Sequence, residues 1–411
     1  MSPLPISERR IVFLVGAIQF VNILDFMMVM PLGPDFARSL GIAASHLGYI
    51  GGAYTAAAGL AGLAGALFLD RFDRRRALAL AMIGLVVGTA AGGFARDLPT
   101  LLAARVLAGA FGGPATSLAL AIIADVIPAE RRGKALGSVM GAFSIASVLG
   151  VPAGLELSQH GGWRTPFFAV AALGLVITGL TFSLLPPLTI HLEAAKGAPP
   201  PRFASLFRPV ALLSWAMTAL FMMASFTLIP NISAYFQFNR AYPRESLGVL
   251  YLVGGSMSFV AMRAVGRLVD RYGSFRVCAA GTVWFLVVTY VGFVAPVLSV
   301  PVMVIFVAFM LSGSLRGVPH NTLTSKVPSP RERARFMSIQ SAVQHFASAL
   351  GAFISAHILV EMPGGALDGI PKVATLSMIL AATFPPLAWA VEARVAAARP
   401  APIAAQTASD P

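Results

Sequence analysis

Apolar runs of about 20 residues, the length at which a helix crosses a bilayer, follow one another along almost the whole chain. They lie near residues 11–33, 46–69, 77–95, 99–124, 135–157 and 164–185, then near 209–236, 247–268, 276–296, 299–323, 336–359 and 373–393. Only 11% of the 411 residues are charged, against roughly 25% in soluble domains. A deficit of that size means that most of the surface does not face water. The first run is full length and holds Asp25, so it reads as a retained span and not as a cleaved leader.

The formal net charge is +13, from 30 Lys and Arg against 17 Asp and Glu. With the N-terminus placed in the cytoplasm, 22 of the 30 basic residues fall on the cytoplasmic side. Six fall outside (Arg38, Arg96, Arg164, Arg240, Arg244 and Lys372), and Arg105 and Arg316 lie within runs. This bias obeys the positive-inside rule. Topology therefore accounts for the basic balance. No module of basic residues interleaved with aromatics points to a nucleic-acid partner. Cys278 is the one cysteine and lies in a run, which excludes an internal disulfide, and the six histidines show no ligand spacing. No metal and no cofactor is expected.

Two charged loops stand 200 residues apart, each between apolar runs. One reads Asp70-Arg71-Phe72-Asp73-Arg74-Arg75-Arg76, the other Asp270-Arg271-Tyr272-Gly273-Ser274-Phe275-Arg276. Leu47-Gly48 and Leu247-Gly248, Pro128 and Pro328, and Arg131 and Arg331 keep the same offset. A duplicated half predicts an all-α membrane protein: twelve transmembrane helices in two six-helix pseudo-symmetric bundles, both termini cytoplasmic. The expected units are residues 1–186 and 209–398, a proline-rich cytoplasmic linker at 187–208 and a disordered tail at 399–411.

Asp25 is the sharpest signal within a run. It lies about 15 residues, or about 22 Å at helical rise, from the cytoplasmic end of the first run. A carboxylate there either pairs with a cation or takes up a proton, and a site poised between the two suits proton coupling. Gln19, Asn22 and Asp25 form one polar stripe with Phe20, Phe26, Met27 and Met28 around it. Arg105, near the outer end of the fourth run, has similar depth and is the expected partner. The alternatives are a purely structural pair for Asp25, and carbonyl capping or snorkelling for Arg105. Gln19, Asn22 and Phe26 of the first run are candidates for lining a central cavity, as are Arg316, His320, Gln344, Asn231 and Tyr235 in the second half, each of these last open to the alternative of an interhelical hydrogen bond. Ala146, Gly150 and Gly154 leave one face of the fifth run bare for close packing, and Pro152 removes a backbone donor there.

These residues resemble the major facilitator superfamily, in its twelve-span drug:proton antiporter branch, over about residues 10–395. The first loop is similar to the signature Gly-x-x-x-Asp-Arg-x-Gly-Arg-Arg: Asp70, Arg71, Arg74 and Arg75 match, while Ala66 and Asp73 stand where glycines are expected. The second copy keeps Gly266, Asp270, Arg271 and Gly273. Arg105-Val-Leu-Ala-Gly109 is similar to an intramembrane Arg-x-x-x-Gly motif, and Leu24-Asp25 to the family's acidic position. Gly150-Val-Pro152-Ala-Gly154 resembles the antiporter Gly-Pro-x-x-Gly-Gly motif with the proline one place later. The resemblance implies that the two Asp-Arg loops latch the cytoplasmic side, with Asp125 as a partner for Arg74 or Arg75.

The expected function is proton-coupled antiport that exports small amphipathic compounds or metabolites by alternating access. The chain is expected to be a monomer in a bacterial cytoplasmic membrane, with a small-molecule substrate, protons and the lipid bilayer as its partners. A proton symporter importing one metabolite is the second expectation. A non-transporting receptor or scaffold is the third. No nucleophile–base pair or metal set points to an enzyme.

Overall fold

The computed structural model describes residues 7–189, 192, 207–328 and 333–397. Every expected apolar run falls on a helix. In chain order these are α1 (Glu8–Val29), α2 (Leu47–Phe68), α3 (Arg74–Gly93), α4 (Leu98–Val126), α5 (Ala129–Ile145 and Val151–Gly161) and α6 (Thr165–Leu184). There follow α7 (Pro209–Phe226), α8 (Leu247–Tyr272), α9 (Ser274–Thr289), α10 (Val302–Thr324), α11 (Arg333–Ile358) and α12 (Ile370–Ala382 and Phe384–Ala397). Among the described residues ten helical stretches are long and apolar enough to cross a membrane. α2 and α11 occupy the second and eleventh expected runs. Most of the expected linker 187–208, Arg331 and the whole tail 399–411 lie outside the described residues.

The duplication is visible in the packing. α1 lies on α5 as α7 lies on α11, α2 lies on α4 as α8 lies on α10, and α3 lies on α4 and α6 as α9 lies on α10 and α12. The two inner loops are built differently. In the first, Asp73 caps α3: its Oδ1 accepts the amides of Arg75 and Leu188, both at 2.9 Å. In the second, Gly273 takes a positive φ of 85°. The capping carboxylate comes instead from Glu392 of α12, which accepts the amides of Ser274 (2.8 Å) and Phe275 (3.1 Å). Both satisfy the orphan donors of a helix start. Asp73 thus has its own task where the family pattern has glycine.

The halves meet through α2 against α11 and α5 against α8. Bare helix faces allow this approach. A Cβ at Gly48 would strike the Ala352 carbonyl, one at Gly52 the Phe353 ring, and one at Gly255 would sit 3.0 Å from the Ser147 carbonyl. The expected small face of α5 is used otherwise. Gly150 admits Leu24 of α1, at 2.7 Å from the position of a Cβ, so it packs within its own half, and Gly154 has only Met28 and Pro166 near, at 3.9 and 4.0 Å. Across to the second half, α5 presents the Ser147–Val148 backbone to Gly255 and, nearer its outer end, Gln159 to the Glu245 carbonyl and Ser158 to Arg244. Around Pro152 the helix passes through a π turn, Ala146–Gly150, which absorbs the missing donor.

The outer ends of the halves are tied together. Asp35, in the short helix Gly33–Leu40, accepts from Arg244 Nε at 2.7 and 2.9 Å and again from its Nη2. Ser158 of α5 donates to the same carboxylate at 3.2 Å. A hairpin pairing Val360–Glu361 with Leu367–Asp368 turns at Gly364 and Gly365, both at positive φ, and brings Glu361 to the amide of Ala44. One apolar core runs from the first half into the outer part of the second, through Leu228, Phe236 and Phe306. The inner part of the second half has a core of its own around Trp215, Phe336 and Phe384. Near the inner ends, the ion pairs joining described residues, Arg74–Asp125 and Arg131–Glu8, stay within the first half. Among the described residues, the polar ties between the halves lie at the outer ends.

If the Asp35–Arg244 pair holds the outer closure, Asp35→Asn will expose the space between the halves. In a Cys278→Ala background, a cysteine at Phe26 should react severalfold faster with an impermeant thiol reagent applied from outside. An unchanged rate would assign the closure to the α2–α11 and α5–α8 packing alone.

Candidate functional site

α4 starts at a capping box. Asp97 accepts the Thr100 hydroxyl at 2.6 Å and its amide at 2.9 Å, which holds the Asp97 carboxyl below the usual carboxylate range. Two turns further on, Arg105 points into the first bundle and meets Asp25 of α1. The contact is bidentate: Nη1 to Oδ1 at 3.1 Å and Nη2 to Oδ2 at 2.6 Å. Thr89 of α3 donates to Oδ1 at 2.7 Å. Asp25 is 0% and Arg105 1% exposed. Withdrawing each charge from water costs several kcal/mol, repaid only by close geometry and satisfied lone pairs, and losing one partner costs about 3–5 kcal/mol. Here the fork-to-fork pairing and the threonine meet that requirement.

Glycines make room for the pair. In Arg105-x-x-x-Gly109 the glycine lies one turn inward on the same face. A side chain there would collide with the Tyr54 carbonyl of α2, and a Cβ at Gly88 of α3 would sit 2.7 Å from the Ala108 Cα. With both absent, α2 and α3 close on α4, and the Tyr54 ring lies 4.8 Å from the Arg105 guanidinium carbon. The Tyr54 hydroxyl donates to Asn22 at 2.7 Å, and Asn22 donates to the Gly112 carbonyl (2.8 Å) and the Thr116 hydroxyl (2.7 Å). Gln19 completes the stripe, buried, with no partner for its Oε1 among the described residues. Phe26 stacks loosely between Tyr54 (5.2 Å) and Phe226 of α7 (6.0 Å), so it bridges the halves.

The second half has no counterpart of the pair. At the 200-residue offset Asp25 becomes Ser225 and Arg105 becomes Ile305, while Thr89 is kept as Thr289, whose hydroxyl finds no partner. Arg316 stands eleven residues beyond Ile305, about 16 Å deeper at 1.5 Å rise per residue. It is 2% exposed and stacks 3.7 Å over the Phe285 ring, with Phe221 at 5.3 Å. Its Nε and Nη1 have no hydrogen-bond partner among the described residues. Cation–π contact returns about 2 kcal/mol when desolvated, less than the several kcal/mol that burying the ion costs. One turn on, His320 Nε2 meets the Thr218 hydroxyl at 2.8 Å, and Gln340 donates to that same hydroxyl.

Other expected cavity residues are engaged elsewhere or stand apart. Tyr235 donates to the Gly292 carbonyl at 2.8 Å, and Asn231 to Ser355 at 2.6 Å, both buried inside the second bundle. The Tyr235 ring packs against Phe236 (5.6 Å) and Phe293 (5.1 Å). Gln344 is exposed on α11.

Of the loop residues, Arg74 Nε lies 3.2 Å from Asp125 Oδ2. Arg75 turns away, donating to the Leu185 carbonyl at 3.0 Å over the Phe182 ring. Arg71, Asp270 and Arg271 are exposed, and the Asp70 side chain lies outside those described. Thr89, Tyr54 and the Asp35–Arg244 pair were not read from the sequence. The repeat of Thr89 at Thr289 and an arginine placed outside against the charge bias were their available signals.

The Chloramphenicol resistance protein of Streptomyces lividans is 28% identical over 256 residues, covering 62% of this chain and 65% of that protein. The Inner membrane transport protein YdhP of Escherichia coli K12 is 29% identical over 246 residues, or 59% and 61%. The chain therefore aligns with less than two thirds of the length of either relative. Among solved structures, a bacterial homolog to the human lysosomal transporter Spinster, inward-facing and occupied, superimposes with a TM-score of 0.72 at 15% identity, covering 96% of this chain and 98% of that one. The fold is that of a multi-pass membrane transporter, and with its match across residues 15–398 the chain belongs to the Major Facilitator Superfamily.

Proposed function

We propose that the chain is a proton-coupled antiporter that exports small amphipathic compounds or metabolites across a bacterial cytoplasmic membrane, working as a monomer. The observation that carries this reading is the fully buried Asp25–Arg105 pair with its Thr89 hydrogen bond. The relatives named for chloramphenicol resistance and inner-membrane transport support export and location.

In the outside-closed form Asp25 is held as a carboxylate by Arg105. A proton entering from outside during a brief outward opening neutralises it, removes most of the attraction between α1 and α4, and so holds the outer side open. The two helices then reorient with their half. On the return, Arg105 re-forms the pair as the proton leaves inward. Each charge moved is driven by about 2.3 kcal/mol per 100 mV. Arg74 and Asp125, with Asp70, Arg71, Asp270 and Arg271, latch the inner side in the opposite half-cycle.

In proteoliposomes with an imposed pH gradient, Asp25→Asn should lower gradient-driven flux at least tenfold while substrate-for-substrate exchange persists. Unchanged gradient-driven flux would remove Asp25 from the coupling step, and accumulation along the proton gradient would replace export by import. Gly109→Leu forces α2 off α4. It should cost about 1–3 kcal/mol of stability, the usual range for overpacking, seen as a lower thermal midpoint with reduced flux. A variant with the parent's midpoint would show that the close approach at Tyr54 is dispensable.

A further inference from the structure

We propose that Arg316 is the recognition point for an anionic group, a carboxylate or another singly charged oxyanion, on an otherwise apolar ligand that enters from the space between the halves. The proposal rests on the reading of the chain as a small-molecule transporter and names the class of compound.

Three arginines are buried among the described residues: Arg74, Arg105 and Arg316. The first two face carboxylates, Asp125 and Asp25. Arg316 faces none, and its Nε and Nη1 are enclosed without an acceptor. The second half cannot readily supply one. Its acidic residues up to α12 are Glu245, Asp270, Glu332, Glu361, Asp368 and Glu392. Glu332 lies outside the described residues; the others stand in loops or near helix ends, and Glu392 is committed to the start of α9. Asp25 is committed to Arg105. A buried cation with no counter-ion in its own protein is costly to keep and marks a ligand path.

The surroundings fit such a ligand. Stacking on Phe285 occupies one face of the guanidinium and leaves its in-plane N–H fork for two oxygens. Phe221 and the His320 ring, stacked at 5.1 Å, offer a flat apolar wall beside it. Three residues before Arg316 on the same face of α10, Gly313 is exposed, with no atom within 4 Å of where a Cβ would stand. Bare helix beside the guanidinium gives a small ligand room to approach.

The test uses the full-length protein in lipid nanodiscs and three isosteric probes: 1-naphthoate, neutral 1-naphthalenemethanol and cationic 1-naphthylmethylammonium. By calorimetry the parent should bind the carboxylate at least tenfold more tightly than either isostere. Arg316→Gln should lose that preference, and Arg316→Lys should keep part of it. Without ligand, Arg316→Gln should melt no lower than the parent, because it removes an unpaired buried charge. Equal or absent binding of the carboxylate overturns the proposal, as does a preference that survives Arg316→Gln. A markedly lower midpoint for that variant would make Arg316 a structural strut and overturn it too. Equilibrium binding needs no gradient. Asp25→Asn should retain the carboxylate preference, so failure of the coupling step and failure of this site are separately visible.

Discussion

A charge pair inside an apolar bundle is stable only while both members are present and well oriented. Asp25 and Arg105 meet that condition through a bidentate contact and one threonine hydrogen bond. The rest of the first half is arranged to permit it. Glycines at positions 88 and 109 let three helices close around the pair, and Asn22 ties Tyr54 to α4. Adding a proton to the carboxylate changes the balance of the whole cluster at once, so one protonation event can bias the position of several helices. Ordinary apolar packing has no such trigger.

The two halves share a fold and divide the chemistry. The first half holds a neutralised pair, the second an unneutralised cation over an aromatic bed. Pseudo-symmetry supplies the same helical frame twice, and a few substitutions within it, Asp25 against Ser225 and Arg105 against Ile305, separate the roles. A carrier that must couple two different ligands gains from this division, because each half can respond to one of them.

The helices were legible because twelve apolar runs of bilayer length leave the chain little choice, and the offset of 200 displayed the duplication. Asp25 and Arg105 were legible because ionisable residues are so rare within the runs that each stands out. Other features depend on contacts between distant residues. The π turns at Ala146–Gly150, Tyr235–Asn239 and Tyr290–Val294 adjust helices to their neighbours and carry no composition of their own. Asp35 and Arg244 are 209 residues apart and meet only once the halves are assembled. Tyr235 was open to two readings, cavity lining or an interhelical hydrogen bond, and only the assembled bundle shows its ring among Phe236 and Phe293 and its hydroxyl on the Gly292 carbonyl. Asp73 read as a missing glycine and proved to be a helix cap.

The central claim is that neutralising Asp25 releases the outer closure. It is tested most directly by the distance between spin labels at Ser39 and Leu298, on the outer side of the two halves, in a Cys278→Ala background. In the parent the distance distribution should lengthen as the pH is lowered, and in Asp25→Asn it should be long at every pH. An Asp25→Asn protein that stays closed at all pH values, or that follows the parent's pH dependence, would contradict the account.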